Sequence, residues 1–185
     1  SMIENTGSRA VPIEASHENP RIKHRSIQDA LPSQPLTGIA SPYQAASLDF
    51  YPPIYGVENA TSGRLIDMVT ACVEKESPVH EERVMRGVAA ALYVERVGAR
   101  IRSQLLQSIA AERRRLVIRR GDFLWSPSMT QPPVRGKDAS GKARKIEEVA
   151  PEEIAACILG VLDYSFSLNN DALTKAVARE LGYSR

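Results

Sequence analysis

Residues 96–125 read RVGARIRSQLLQSIAAERRRLVIRRGDFLW, and this stretch decides how the rest of the chain is interpreted. At about 100° per residue, Ile101, Leu105 and Ile109 fall on one flank of a helix and predict its core-facing stripe. The opposite flank carries only cationic and neutral polar side chains, namely Arg100, Ser103, Gln104, Gln107 and Arg114. Glu112, the one acid of this helix, falls on the core side. We therefore expect a helix whose solvent face carries no negative charge.

A short β-hairpin is predicted directly after this helix. Gly121-Asp122 is a typical two-residue turn between segments with period-two alternation. Val117 and Arg119 are predicted to face solvent. The predicted core-facing residues are Leu116, Ile118, Phe123 and Trp125. For the two aromatic residues, base stacking is the alternative to the favoured core role. A basic helix that leads into a basic hairpin is a shape that docks nucleic acids, and the rival interpretation is an ordinary amphipathic helix with a solvated face.

Two further helices are predicted ahead of the basic one. Apolar residues recur at helical spacing from Arg64 to Glu74, and Ser77-Pro78 ends the pattern. The next helix is predicted to begin between His80 and Glu82, with acids where the helix dipole favours them. We interpret His80 as a cap or surface residue rather than a metal ligand. The order helix, helix, basic helix and hairpin is the topology of a winged helix.

The flanking segments complete a mainly α architecture with a small β-hairpin wing. Residues 1–60 contain seven of the twelve prolines and predict a mostly disordered tether, with residues 43–55 as its anchored end. Residues 61–130 are predicted to form the first winged-helix unit. Residues 131–150 read as a basic, largely extended linker.

A second helical unit is predicted over residues 151–185, because its apolar positions repeat those of the first unit. The offset is 89 residues throughout, as between Leu65 and Ile154 or between Leu92 and Leu181. The inward set of its first helix is predicted to be Ile154, Ile158, Val161 and Leu162. The copy stops where the first unit continues into its basic helix and wing. We therefore expect tandem helix-turn-helix units, the second truncated, with an apolar edge that would favour pairing between chains.

Positive charge is strongly segregated along the chain, although the net charge is only +2. Residues 96–145 contain 13 basic and 3 acidic residues, a net charge of +10, whereas residues 146–185 contain 3 basic and 7 acidic residues, a net charge of −4. A block of +10 favours a polyanionic partner and salt-sensitive association. The alternative is a partner protein, or another part of a parent protein, with an acidic surface.

Several function classes are excluded by what the sequence lacks. No apolar run approaches the roughly 18 to 20 residues that span a bilayer, and no signal peptide is present, so we expect a cytoplasmic protein without membrane contact. Cys72 and Cys157 lie in apolar helical stretches and are interpreted as reduced, structural thiols. No phosphate-binding loop and no nucleophile with a plausible base are found. We predict a non-catalytic chain without cofactor or metal.

The favoured function is nucleic-acid binding, with DNA preferred over RNA. Arginines of the helix and wing would meet phosphates, the serine and glutamines would approach base edges, and the linker cations would add non-specific contacts. The candidate residues are Arg96, Arg100, Ser103, Gln104, Gln107, Arg114, Arg119, Arg120, Lys142, Arg144 and Lys145. The alternative is a protein-interaction module, since winged helices also dock proteins.

Four short segments carry a resemblance to a known family. They are SPVH at 77–80, RVGARI at 96–101, DFLW at 122–125 and APEEIA at 150–155. Over residues 64–185 the chain resembles the bacterial domain of unknown function 3320, although the family usually has Gly-Pro where this chain has Ser77-Pro78. The resemblance implies an accessory domain at the C-terminal end of a very large superfamily 1 helicase-like protein with a restriction-endonuclease-like domain. It implies no active site, and it makes the other domains of such a parent protein expected partners.

Overall fold

The structure is a computed structural model that describes residues 38–49, 53–111, 117–165 and 168–183. These residues form a mainly α fold with little sheet. The helices are α1 (Ser62–Glu76), α2 (Glu81–Ala91), α3 (Ala99–Ala111), α4 (Pro151–Asp163) and α5 (Asn170–Glu180). The strands are β1 (Ser41–Tyr43), β2 (Val79–His80), β3 (Ile118–Arg120), β4 (Phe123–Trp125) and β5 (Arg135–Asp138). Within this described part of the chain, no helix has the length and apolar character needed to cross a bilayer.

Local capping signals set the ends of the first two helices. Thr61 precedes α1, and its Oγ1 accepts a hydrogen bond from the Arg64 backbone N–H at 3.2 Å. α1 ends before Ser77-Pro78, which confirms the predicted break, and the peptide bond between these two residues is cis. His80 Nδ1 accepts a hydrogen bond from the backbone N–H of Glu82 at 3.2 Å. The interpretation of His80 as a helix cap is therefore confirmed.

The hairpin forms where it is predicted, but its core-facing side is the opposite one. Strands β3 and β4 are antiparallel, β2 pairs with the other edge of β4, and Gly121 adopts φ 57° in the turn. Val117, predicted to face out, is 2% exposed, whereas Ile118, predicted to face in, is 38% exposed. The apolar cluster of the helices takes in Val117 and Leu124. β4 is the central strand, and its successive side chains point to opposite faces. Leu124 enters the apolar cluster of the helices, and Trp125 is buried on the other face of the sheet.

The offset of 89 residues recurs in the structure. α1 begins at 62 and α4 at 151, and α2 begins at 81 and α5 at 170. Equivalent hydrogen bonds end the second helix of each unit: Leu92 N–H donates to the Val88 carbonyl, and Leu181 N–H donates to the Val177 carbonyl. The two units, α1 to β4 and α4 to α5, each surround their own apolar cluster. Among the described residues, α3 and the hairpin have no second copy.

Two segments predicted as tether and linker meet in a small sheet. Within the predicted tether, residues 41–43 form β1, which pairs in parallel with β5 of the predicted linker 131–150. The linker also contains a 3-10 helix, Ile146–Glu148. This part of the chain is therefore built into the fold, because Tyr43 and Arg135 are buried at the sheet. The predictions for residues 1–37 and 50–52 lie outside the described residues.

Candidate nucleic-acid interface

Helix α3 is held on the first unit by its apolar flank. Leu105 is fully buried, and Ile101 packs against the same apolar cluster, as predicted. The opposite side places Arg100, Ser103 and Gln107 in solvent, and the exposed Arg96 lies just before the helix. Gln104 is half-buried. The side chain of Ile109 and the whole of Arg114 lie outside the part of the chain that the structure describes.

A groove of about 410 Å³ separates α3 from the hairpin. Ser103 and Gln107 line it from the helix together with the apolar side chains of Leu106 and Ala110, and Leu124 lines it from β4. The other lining residues are Glu81, Ala99, Arg102 and Arg119. Ser103 and Gln107 therefore lie where the solvent face of α3 meets an apolar groove.

Two arginines beside this groove are already paired with acids from the first turn of α2. Arg119 Nη2 lies 2.8 Å from Glu81 Oε2, and Arg102 forms an ion pair with Glu82. Arg119 Nε also donates a hydrogen bond to the Gly121 carbonyl at 2.9 Å. Glu81 and Glu82, which lie where the dipole of α2 favours acids, thus also neutralise two cations of the interface. Arg102 is absent from the predicted set because its helical position lies on the flank rather than on the outer face.

Arg120 lies over the indole of Trp125. The guanidinium carbon is 4.3 Å from the ring centroid, a distance typical of cation–π contacts. Trp125 is buried, so its ring is unavailable to a nucleobase; it is buried as predicted, but outside the apolar cluster of the helices. Its indole Nε1 has no hydrogen-bond acceptor among the described residues. Arg120 itself remains exposed, with its guanidinium held against the hairpin.

Arg144, a predicted phosphate contact, is instead part of a buried ionic cluster. Its side chain is 7% exposed, and Nη1 donates to Glu153 Oε2 at 3.0 Å. Arg135 Nη2 donates to the same oxygen at 2.6 Å. Glu153 is fully buried between the two guanidinium groups. Because the hydrogen bonds of Arg144 are directed inward, we remove it from the candidate interface as a correction.

The cluster extends to Tyr43, whose hydroxyl donates to the Glu76 carboxylate. Guanidinium groups surround the Tyr43 ring: those of Arg83, Arg135 and Arg144 lie 5.5, 5.6 and 4.8 Å from its centroid. Burial and the adjacent Glu76 carboxylate raise the pKa of the Tyr43 hydroxyl. Arg135 also donates hydrogen bonds to the carbonyls of Glu76 and Pro78. The cluster therefore joins α4 to the end of α1.

Acid is expected to weaken this cluster. Burial by itself would raise the pKa of Glu153, but hydrogen bonds from Arg144 and Arg135 outweigh it and lower the pKa below the usual 4.5. A lowered folded-state pKa means that the stabilisation is complete above about pH 4.5 and is lost as pH falls through the folded-state pKa. In urea unfolding at pH 7, the wild type is expected to be more stable than Glu153→Gln. Toward pH 3 the difference should shrink, and a difference that stays constant with pH would contradict this account.

The predicted cations Lys142 and Lys145 line a second, polar cleft of about 300 Å³. Both lysines are exposed. Arg86 lines the same cleft and is paired with Glu148, its Nη2 lying 2.6 Å from Oε1. Arg83 and Arg144 also line it. The α2 arginines at this cleft are thus already paired with acids, Arg86 with Glu148 and Arg83 with Glu76, and nothing in their helical spacing connects them with residues 142–145.

The described residues contain no metal-ligand cluster, and their two cysteines are not activated. No three His, Cys, Asp or Glu side chains there are placed to hold a metal ion. Cys72 and Cys157 are buried free thiols. Burial raises the pKa of Cys72 to about 12 and that of Cys157 to about 11. Both thiols are therefore protonated near neutral pH and are poor nucleophiles.

Comparison with known proteins connects one part of this structure to a family. Searches of curated proteins and of solved structures give no match. Residues 57–103 match the model of a family described as "Protein of unknown function (DUF3320)". This segment includes α1, β2, α2 and the beginning of α3. The resemblance to this family is thus confirmed over residues 57–103, the part of the first unit that supports the candidate interface.

Proposed function

We propose that the chain is a non-catalytic nucleic-acid-binding module with DNA as its preferred ligand. In this proposal the first unit is a winged helix, α3 is the recognition helix and the β3–β4 hairpin is the wing. The order α1, β2, α2, α3, β3, β4 supports this assignment, as does the position of β4 between β2 and β3. The described residues of the second unit contain the counterparts of α1 and α2, namely α4 and α5.

The observation that carries the proposal is a set of exposed polar side chains on one side of α3. Arg100, Ser103 and Gln107 are spaced by three and four residues and share one face. Arg100 and the preceding Arg96 are paired with no carboxylate among the described residues. A helix that presents free cations beside neutral hydrogen-bonding side chains has the chemistry of a groove reader, with cations for phosphates and amides or hydroxyls for base edges.

The ion pairs divide the predicted residues into stronger and weaker candidates. Arg96, Arg100 and Arg120 are exposed and have no carboxylate partner among the described residues, whereas Arg119, which is also exposed, would first have to leave Glu81. Lys142 and Lys145 would add contacts from the second cleft. The affinity should therefore come from few phosphate contacts, so it should be moderate, and its fall with salt should be in proportion to that small number of contacts.

The broader context of this module is also a proposal. We infer an accessory role in a large helicase- or nuclease-type protein, supported by the resemblance to the DUF3320 family over residues 57–103. In such a protein the module would position DNA for a motor or nuclease located elsewhere in the same protein.

Fluorescence anisotropy provides the direct test. A labelled 20-base-pair duplex and one of its strands are titrated with the full chain at several salt concentrations. We expect micromolar binding at low salt, with a slope of log affinity against log salt of about −0.9 for each neutralised phosphate. The ratio of duplex to single-strand affinity then identifies the preferred form of the ligand. Absence of binding to both at low salt would refute the proposed function.

Glu81→Gln is expected to increase affinity for DNA. The substitution removes the closer of two carboxylates at Arg119, at 2.8 Å, and leaves only Asp122 at 3.9 Å, so the guanidinium becomes more available to a phosphate. We expect a gain of roughly two- to fivefold at low salt, since one cation–phosphate contact is added. Glu74→Gln, which makes the same charge change at an exposed position of α1 outside the groove, is the matched control. Equal affinities for the two variants would show that Arg119 does not contact DNA.

The apolar groove supports a second candidate function, the docking of a protein segment. Leu106, Ala110 and Leu124 give the groove an apolar floor that phosphates and base edges do not require. The ion pairs Arg119–Glu81 and Arg102–Glu82 lie at its edges and would orient a polar peptide backbone. This function predicts salt-insensitive binding of a peptide rather than salt-sensitive binding of DNA.

A further inference from the structure

An apolar side of α4 is open to solvent. Leu159 and Leu162 are 63% and 42% exposed and lie three residues apart on one face of the helix. Ala155, one turn earlier on the same face, is also exposed. The prediction that Leu162 faces inward is therefore wrong. Contiguous exposed apolar surface of this kind is typical of an interaction site.

The repeat indicates what such a face does in the first unit. Leu65, Val69 and Val73 of α1 are all buried, with Val73 at 0% exposure. Their counterparts 89 residues later are Ile154, Ile158 and Leu162. The first two counterparts are only partly buried, and the third is exposed. Of these residues only Leu162 belongs to the open face, and the counterparts of Ala155 and Leu159 are Ile66 and Thr70, which are both partly buried. Every position of the open face is therefore more covered in α1 than in α4.

Three elements that pack on α1, namely β2, β4 and α3, have no counterpart beside α4 among the described residues, and the longest of them is α3. It packs along α1, and its residues Ile101, Leu105 and Leu106 belong to or pack against the cluster that contains Val73. The described residues of the second unit contain no helix in the equivalent place. What covers the stripe in the first unit is therefore an amphipathic helix with apolar residues four positions apart.

The charges on α4 indicate which kind of helix would cover its open face. α4 has exposed carboxylates at Glu152 and Asp163, toward either end of the open face, and it contains no basic residue. Residues 146–185 carry a net charge of −4. A complementary helix is accordingly cationic beside its apolar stripe, as α3 is with Arg100 and Arg102.

We propose that the face of α4 formed by Ala155, Leu159 and Leu162 binds a basic amphipathic helix of a partner protein, as α1 binds α3. The apolar side of the partner helix covers the two leucines, and its basic flanks meet Glu152 and Asp163. This surface shares no residue with the candidate nucleic-acid interface, so the inference stands independently of the proposed function.

The chain supplies its own probe for this proposal. A labelled peptide of residues 96–111, RVGARIRSQLLQSIAA, is titrated with the full chain in fluorescence anisotropy. We expect saturable binding that Leu159→Ser combined with Leu162→Ser weakens at least tenfold. Because both leucines are exposed in the free chain, the thermal unfolding of this double variant should match that of the wild type. Ile118→Ser, which removes an exposed apolar side chain from the hairpin, should leave peptide binding unchanged.

A second peptide tests whether the amphipathic pattern matters. The same peptide carrying Ile101→Ser and Leu105→Ser keeps every charge and loses the apolar stripe, so we expect it not to bind. No binding of the original peptide, or equal binding to the double variant and the wild type, would overturn the proposal. So would a dimer in sedimentation velocity that the double variant dissociates, because a second copy of this chain would then be the occupant.

Discussion

Glu153→Ala is expected to lower the free energy of unfolding by about 3–5 kcal/mol, the usual effect of removing one partner from a buried ion pair. The carboxylate lies between Arg135 and Arg144, whose side chains are each 7% exposed. Without it, two guanidinium groups remain buried and lose four of their hydrogen bonds to Glu153 oxygens. Urea denaturation at pH 7 measures the loss.

Glu152→Ala is the matched control for this prediction. Glu152 is the adjacent residue on α4, also in the first turn, but it is exposed. Its loss removes only a favourable interaction with the helix dipole, about 0.3–1 kcal/mol. A third variant, Arg135→Met with Arg144→Met and Glu153→Leu, replaces the whole ionic group with apolar side chains and should regain most of the stability. If Glu153→Ala and Glu152→Ala are equally stable, the cluster does not hold the fold together.

The position of the cluster makes this prediction informative about the architecture. Arg135 donates hydrogen bonds to the carbonyls of Glu76 and Pro78, at the junction of α1 and β2, while Glu153 belongs to α4. The backbone N–H of Arg135 also donates a hydrogen bond to Glu153 Oε1 at 2.9 Å. The same side chains thus connect the apolar clusters of the two units. We expect the loss of Glu153 to weaken the attachment of α4 to the first unit.

Features determined by neighbouring residues were predictable from the sequence. Helical spacing predicted α1, and Ser77-Pro78 predicted its end. Gly121-Asp122 predicted the turn, because a two-residue hairpin requires a positive φ that glycine adopts readily. The prediction that Ile118 and Trp125 lie on the same face of the hairpin was also right, since the two residues are paired. The choice of core-facing side was wrong because it depends on which face the distant helices cover, and their apolar cluster takes in Val117 and Leu124.

Features determined by distant residues were not predictable. Arg135 and Arg144 lie in a polar, proline-containing stretch, where cations usually stay solvated. Their burial requires Glu153, and Tyr43, whose ring lies beside both guanidinium groups, reaches them only because β1 pairs with β5. Similarly, the pairing of Arg119 with Glu81 depends on β2 lying beside β4. Composition indicated a basic region, but only the fold shows which of its cations are already neutralised.

The cations that remain free lead to the second prediction: Arg100→Glu combined with Arg120→Glu should lower the affinity for duplex DNA at least tenfold at low salt. Both side chains are exposed and have no carboxylate partner among the described residues, so each reversal replaces an attraction to phosphate with a repulsion. Lys75→Glu combined with Arg179→Glu makes the same change in net charge on the exposed faces of α1 and α5, away from the groove. It is expected to reduce affinity only slightly.

The salt series separates a local effect from a general one. If Arg100 and Arg120 each neutralise one phosphate, their reversal should reduce the slope of log affinity against log salt by about 1.8, or about 0.9 for each contact. The control pair should leave this slope unchanged, because a change in overall charge alone removes no phosphate contact. Equal losses of affinity and unchanged slopes in both variants would indicate that DNA senses only the net charge. The exposed side of α3 and the hairpin would then have no specific part in binding.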